Sequence, residues 1–334
     1  LAQLLLMLLA VTHAARADAQ IVESVGSRAL GMGGAFVAVA NDSSASWWNP
    51  GALADGPFID LAVAGSITDT SELTPASRDR ASWVTLGTPP FGISYYRLRI
   101  TEIDNVSSTA PPDASREDGL GTVPVRSLNS HHVGVTLVHS IVTGVHAGAT
   151  VRYIRGSVSV GAGDASRSTT DLLEWGADLE SGTSIQRFDV DVGALAVFGA
   201  FRAGALFRNL FEPEFDAPAG PPVRLPRQVR VGGAFDGDAI DRLPLTLSID
   251  ADLLGYATAA GERRVVAFGA EQWLLKKRLG LRAGGRFNTV GAKDRAATGG
   301  VSVGLLPSVF VDGHVVRGGT ADDRGWGIAA RVSF

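Results

Sequence analysis

Leu245-Thr246-Leu247-Ser248-Ile249-Asp250-Ala251-Asp252-Leu253 alternates apolar and polar side chains without a break. Successive side chains of a strand point to opposite faces, so this stretch folds with one apolar and one charged face. A helix would mix the two sets, because its faces repeat at i, i+3 and i+4. The same pattern returns throughout the chain. Leu279, Leu281, Ala283, Gly285 and Phe287 alternate with Gly280, Arg282, Gly284 and Arg286. Val145, Ala147, Ala149, Val151 and Tyr153 alternate with His146, Gly148, Thr150 and Arg152, and Phe188 to Phe198 alternates with Asp189, Asp191 and Gly193 between. The last stretch sets Trp326, Ile328, Ala330, Val332 and Phe334 against Gly327, Ala329, Arg331 and Ser333. The alternation predicts strands over 58–67, 81–88, 91–101, 127–139, 144–156, 186–198, 201–211, 226–236, 243–253, 264–274, 277–287, 297–305, 308–317 and 326–334, about fourteen in all.

The connections alternate long and short. Short ones are Thr88-Pro89-Pro90, Ser140 to Thr143, Gly199-Ala200, 237–242, Leu275-Lys276 and Leu306-Pro307; long ones cover 68–80, 102–126, 157–185, 212–225, 254–263, 288–296 and 318–325. Long loops at one end and short turns at the other are the habit of antiparallel bacterial outer-membrane barrels, and most segments match the 9–11 residues of a tilted membrane strand. Closure pairs every backbone group, as hydrocarbon demands. The expected fold is therefore all-β: a single transmembrane antiparallel barrel, apolar face to lipid and polar face to the lumen. Phe58, Trp83, Phe91, Phe188, Phe198, Phe201, Phe211, Trp273, Trp326 and Phe334 lie near strand ends and are expected in interfacial girdles. Phe334, closing an alternating strand, is the expected signal for the barrel assembly machinery.

Composition bounds the alternatives. Charged residues make up 19% of the chain, the net charge is −4 and there is no Cys. That excludes a disordered chain, a disulfide scaffold and a thiolate metal site, and argues against a nucleic-acid partner. Leu4 to Val11 is an apolar run too short to cross a bilayer as a helix, and Ala17-Asp18-Ala19 follows it with small residues at the positions of a cleavage site. Residues 1–19 are thus expected to be a signal peptide cut before Gln20, the sequence beginning inside that leader. Residues 58–334 are the expected barrel.

Residues 20–57 between them do not alternate. Gly31-Met32-Gly33-Gly34 is no dinucleotide loop, since Phe36 stands where the last glycine belongs and no strand precedes it. Asn41 and Asp42 are expected to end a helix and start a turn. Arg28-Ala29-Leu30-Gly31-Met32-Gly33-Gly34-Ala35-Phe36-Val37-Ala38-Val39-Ala40-Asn41-Asp42, followed by Trp48-Asn49-Pro50-Gly51-Ala52-Leu53-Ala54, resembles the N-terminal segment of the FadL-type outer-membrane transport proteins, and more closely that of their PorV/PorQ relatives. The resemblance implies a hatch inside a fourteen-stranded barrel, with Gly51 where the family usually has Ala. It makes Gly31, Gly33, Gly34, Phe36, Asp42, Trp47, Trp48, Asn49 and Pro50 the hatch and ligand candidates.

On the polar strand faces, Arg152, Asp189, Asp191, Arg202, Arg208, Arg230, Asp250, Asp252, Arg278, Arg282, Arg286 and Arg331 are expected to line the lumen, chiefly as paired charges that could anchor the hatch through Arg28, Asp42 or Asn49. His131 and His132 must face opposite ways. Asp164, Asp171, Glu174, Asp178 and Glu180 read as a solvated loop. No Gly-x-Ser-x-Gly elbow or His-Glu-x-x-His pair occurs, so no enzyme, metal or cofactor is expected. By the resemblance, the expected role is diffusive uptake of apolar small molecules across the outer membrane of a Gram-negative cell. The alternative is a PorV/PorQ-like docking component for secreted proteins.

Overall fold

The computed structural model describes residues 24–70, 76–103, 121–240, 243–258, 261–291, 293–319 and 324–334. The expected signal peptide lies outside the described residues. In chain order the strands are β1 (Asp60–Thr70), β2 (Ala76–Thr88), β3 (Phe91–Ile103), β4 (Thr122–Val142), β5 (Val145–Asp164), β6 (Ile185–Phe198), β7 (Phe201–Arg208), β8 (Glu214–Phe215), β9 (Val223–Arg224), β10 (Gln228–Asp236), β11 (Leu245–Asp252), β12 (Tyr256–Thr258), β13 (Gly261–Arg263), β14 (Val265–Leu274), β15 (Leu279–Asn288), β16 (Arg295–Leu306), β17 (Val309–Gly318) and β18 (Arg324–Ser333). β8–β9 and β12–β13 are two-stranded ribbons; the other fourteen form one closed antiparallel barrel. β18 closes on β1, with Asp60 opposite Ser333 and Asp69 opposite Arg324.

The alternation is realised inside out relative to a water-soluble barrel. On β11 Leu247 and Ile249 are 45% and 47% exposed, whereas Ser248, Asp250 and Asp252 between them are buried. A wall that exposes its Leu and Ile and buries its Asp is built for hydrocarbon outside and polar groups within. The short connections turn tightly: Gly199, with φ +60°, supplies the left-handed residue of the two-residue hairpin between β6 and β7.

Several boundaries differ from expectation. β4 and β5 run 21 and 20 residues. Their upper parts stay sheet because both faces are covered. Outside lies a helix inside the expected loop 157–185, Thr169–Ala177, whose Ser168 hydroxyl accepts from the Asp171 N–H. Its Leu172 and Leu173 pack on Ala76, Ile103, Val123 and Val125. Gly161 and Gly163 leave the room that Trp175 and Leu172 occupy. Inside, the β8–β9 ribbon presses Phe215 and Val223 on Leu128, Ile154 and Val158. β7 stops at Arg208, three residues early, because Asn209 adopts φ 55° and its N–H turns to Asp191.

Residues 24–57 fill the lumen. They form α1 (Ser27–Gly31), a turn through Gly33 and Gly34, α2 (Ala45–Trp48) and a 3₁₀ turn (Pro50–Asp55). With the helix Thr169–Ala177 as α3, these are the only α-helices among the described residues. Asn41 and Asp42 make the expected turn, but it joins an irregular stretch to α2 rather than ending a helix. Phe36, Trp47, Trp48 and Leu53 build the main core with Trp83, Tyr96, Leu98 and Leu195 from the wall. Trp83, expected in a girdle, therefore faces inward, and so does Trp273, opposite Gly280. Phe58, Phe188, Phe198, Phe201, Phe211, Trp326 and Phe334 stand on the exposed surface.

Candidate functional site

The N-terminal segment meets the wall backbone to backbone. Three cross-strand glycine pairs face inward in register: Gly148 with Gly193, Gly204 with Gly232, and Gly269 with Gly284. Pro50 and Gly51 lie on the first pair, Val37 and Ala38 on the second, Met32 and Gly33 on the third. A Cβ on Gly204 would stand 2.5 Å from the Val37 carbonyl oxygen, and one on Gly148 2.6 Å from the Pro50 carbonyl carbon. Nothing but glycine admits such an approach. Gly33 and Gly34 add positive φ values of 70° and 85°, which turn the chain from α1 back along the wall.

Polar side chains lock this contact. Asn49 Nδ2 donates to the carbonyls of Val37 (2.8 Å) and Ala194 (2.9 Å), and its Oδ1 accepts from the Gly51 N–H (3.1 Å). One amide thus ties two parts of the segment to each other and to β6, and starts the 3₁₀ turn with Pro50 in its first position. Asp250 accepts from the N–H groups of Phe36 (2.7 Å) and Val37 (2.9 Å). Ser248 and Thr298 donate to the carbonyls of Ala35 (2.7 Å) and Gly31 (3.0 Å). These are the unpaired backbone groups of an irregular segment, satisfied from the wall.

Two charge networks flank the seats. In the first, Arg28 reaches Asp42 (2.9 Å) and Glu271 (2.7 Å); Glu271 also takes Arg282 (2.5 Å). Arg331 bridges Asp312 (3.1 Å) and Asp60 (3.4 Å), and Asp60 accepts from the Ser43 N–H (2.9 Å). Burial alone would disfavour the Arg28 charge, but Glu271 and Asp42 outweigh it and hold the guanidinium above its ordinary pKa. Burial likewise pushes the Asp42 carboxyl up, and Arg28, Arg331 and the Ser44 hydroxyl together bring it below the usual range. In the second network Arg152 joins Asp189 (2.8 Å) and Asp191 (2.7 Å), and Arg230 joins Asp252 (2.6 Å). Arg208 lies 4.4 Å over the Trp47 ring and donates to the Trp47 carbonyl. Trp47 also packs on Tyr96, centroids 4.8 Å apart, and Arg230 lies 5.7 Å from Trp48. At the short-turn end a cavity of about 760 Å³ opens between Arg28, Asn41, Asp55, Trp273, Lys277 and Arg331.

Residues 26–252 match the profile of the family TraF_2, described as "F plasmid transfer operon, TraF, protein". The chain belongs to the TraF_2 family. No curated protein matches it in sequence. Among solved structures, the CymD monoaromatic hydrocarbon channel superposes with a TM-score of 0.64 at 13% identity, covering 93% of this chain and 98% of that one. The Pseudomonas putida toluene transporter TodX gives 0.58 at 12%, covering 96% and 99%. A Pseudomonas aeruginosa FadL homologue gives 0.58 at 12%, covering 95% and 100%. At such identities the likeness is one of fold: this TraF_2 chain has the barrel of the FadL-type channels.

The sequence-predicted residues gather in the lumen. Gly31, Gly33, Phe36, Asn49 and Pro50 form the seats; Asp42 belongs to the first network, Trp47 and Trp48 to the aromatic centre. Arg152, Asp191, Arg230, Asp250, Asp252, Arg282 and Arg286 are all buried. Arg278 is corrected: it sits in an exposed turn, because Leu275, Lys276 and Lys277 take three successive left-handed conformations and lengthen it. His132 is buried beside Ser130 (2.9 Å), and His131 faces out to the Tyr95 hydroxyl (2.8 Å). The loop acids are dispersed: Asp164 accepts from Ser166, Asp171 from Ser168, and Glu174 approaches Arg78. Glu271, Asp60, Asp312, Trp83 and Tyr96 were missed; all lie on the inward parity of predicted strands, so alternation could have found them.

Proposed function

We propose that this chain is an outer-membrane barrel of a Gram-negative cell that passes small apolar molecules by diffusion, with residues 24–57 as a hatch. The carrying observation is the seated segment. It occupies the lumen of an inside-out wall, the chain has no Cys to bond it there, and a shift of this one element opens a path. The fold shared with hydrocarbon channels supports an apolar cargo. Trp47, Trp48, Phe36 and Tyr96 supply an aromatic surface where the hatch meets the wall. Phe334, at the exposed end of the closing strand, is the group offered to the barrel assembly machinery.

The absence of Cys permits a clean test. Ser43 Oγ and Thr85 Oγ1 stand 2.8 Å apart, one on the hatch and one on β2. The Ser43→Cys/Thr85→Cys variant is expected to take up a radiolabelled monoaromatic or fatty-acid probe when reduced and to stop when oxidised. Equal uptake in both states removes the hatch as the gate. A second reading, docking of secreted proteins, draws on the charged lumen and the dense anchoring of the hatch. It predicts a secreted protein retained stoichiometrically by the detergent-extracted barrel, with uptake unchanged when the gene is deleted.

A further inference from the structure

The outward wall of β1–β5 is zoned by height. The register puts Val84, Tyr95, Val133 and Tyr153 side by side in one outward row. One outward step nearer the long loops, the row reads Gly65, Ser82, Arg97, His131 and Arg155. One step further, Arg80 stands opposite Arg99. Above these, the outward residues Ala76, Ile103, Val123 and Val125 are covered by α3 rather than left bare. The basic rows therefore lie between an aromatic, apolar band and a protein-covered band, at the height where lipid headgroups end.

Charge in these rows is not balanced from within. Arg78 has Asp69 at 2.6 Å and Glu174 at 3.5 Å. Arg80, Arg97 and Arg99 have no ion pair among the described residues; Asp178, at the end of α3, is the acid Arg99 senses, beyond ion-pair distance. Below the three arginines, Gly65 and Ser82 leave a dent of about 430 Å³ walled by Ile67, Trp326 and Ile328. We propose that this face binds one molecule of a phosphorylated, acylated glycolipid of the outer leaflet, its phosphates on Arg80, Arg97 and Arg99 and an acyl chain in the dent. Guanidinium groups bind phosphate through charge-assisted, often bidentate hydrogen bonds. Three of them without an ion-pair partner among the described residues suit a headgroup carrying more than one phosphate better than a phospholipid with one.

The inference rests on the outer-membrane reading above, which fractionation and heat-modifiability of the band test separately. Native mass spectrometry of the full-length barrel in neutral detergent tests the lipid. With diphosphoryl lipid A, a one-to-one adduct is expected; the dephosphorylated form should bind at least about tenfold more weakly, the loss of one charge-assisted bond or more. Arg80→Gln/Arg97→Gln/Arg99→Gln should lose the adduct while keeping the heat-modifiable band. Gly65→Leu should weaken it with every charge in place. Undiminished binding by the triple variant, or equal binding of phosphatidylglycerol, overturns the proposal.

Discussion

Residues 24–57, the proposed hatch, are held in two different ways. Along 31–38 and 49–51 its backbone rests on inward glycines, with hydrogen bonds donated by Asn49, Ser248 and Thr298 and accepted by Asp250. At Arg28 and Asp42 it is held by charge, against Glu271 and, through Ser43, Asp60. The seats are a matter of shape and tolerate no added atom. The charged latch has alternatives: its groups can be screened, protonated or satisfied by water. A hatch of the kind proposed, which stays in register yet releases, needs both, the seats to define the closed position and the latch to set how firmly it is kept.

Asn49→Ala gives the largest effect on the seat side. It strands the Val37 and Ala194 carbonyls and the Gly51 N–H in a dry interface, and each such group costs about 1–3 kcal/mol. The heat-modifiable band should convert to the unfolded form at a clearly lower temperature, with raised channel leakage. An unchanged transition means the Asn-Pro step is not what pins the hatch. Arg28→Met comes next. It leaves Glu271 and Asp42 buried with their shared partner gone, a loss of about 3–5 kcal/mol for a broken buried pair. Adding Asp42→Asn should recover part of the loss, because a neutral group costs less to bury than an unpaired charge. If the double variant melts no higher than the single one, the latch is not electrostatic. Third is Gly204→Ala on the second seat. The added Cβ meets the Val37 carbonyl, and overpacking of this kind costs about 1–3 kcal/mol. Leakage should rise with no change in its salt dependence, whereas Arg28→Met alters both.

The two regions also differed in legibility. The wall was readable because one rule, alternation, fixes both strand and face: Asp250, Arg282 and Arg152 were placed inward from parity alone, and the structure buries all three. The same rule failed where a face has a second cover. The upper halves of β4 and β5 lie between α3 and the β8–β9 ribbon, so apolar residues occur on both faces and the strand signal blurs. Trp83 and Trp273 were misplaced because an aromatic near a strand end fits a girdle or a lumen equally well, and only parity separates the two. The seats were illegible for another reason. Gly148, Gly193, Gly204 and Gly232 read as weak strand residues, and their use appears only when cross-strand register pairs them beneath a particular stretch of backbone. Sequence order carries no such register between distant strands.

Asp42 supplies the smallest effect and titrates the charged pair of the latch. Its carboxyl is held below the ordinary range by Arg28 and Arg331, which outweigh the opposing effect of burial. A carboxylate whose pKa is depressed on folding contributes stability that is complete above its unfolded value, about 3.9, and is lost as the pH falls through the folded value. The Arg28–Asp42 pair is therefore intact at neutral pH and loosens only in acid, below about pH 4. The seats carry one carboxylate of their own, Asp250, which accepts from the Phe36 and Val37 N–H groups. In planar bilayers the wild-type leak should rise in acid, and the part of the rise that belongs to the Arg28–Asp42 pair should lie below about pH 4. Asp42→Asn should start from a higher leak at neutral pH and show a smaller acid step, because one of the groups that loosens has already been neutralised. A full acid step surviving in Asp42→Asn would move the sensitivity to another carboxylate of the lumen and leave Glu271 as the acid that holds Arg28.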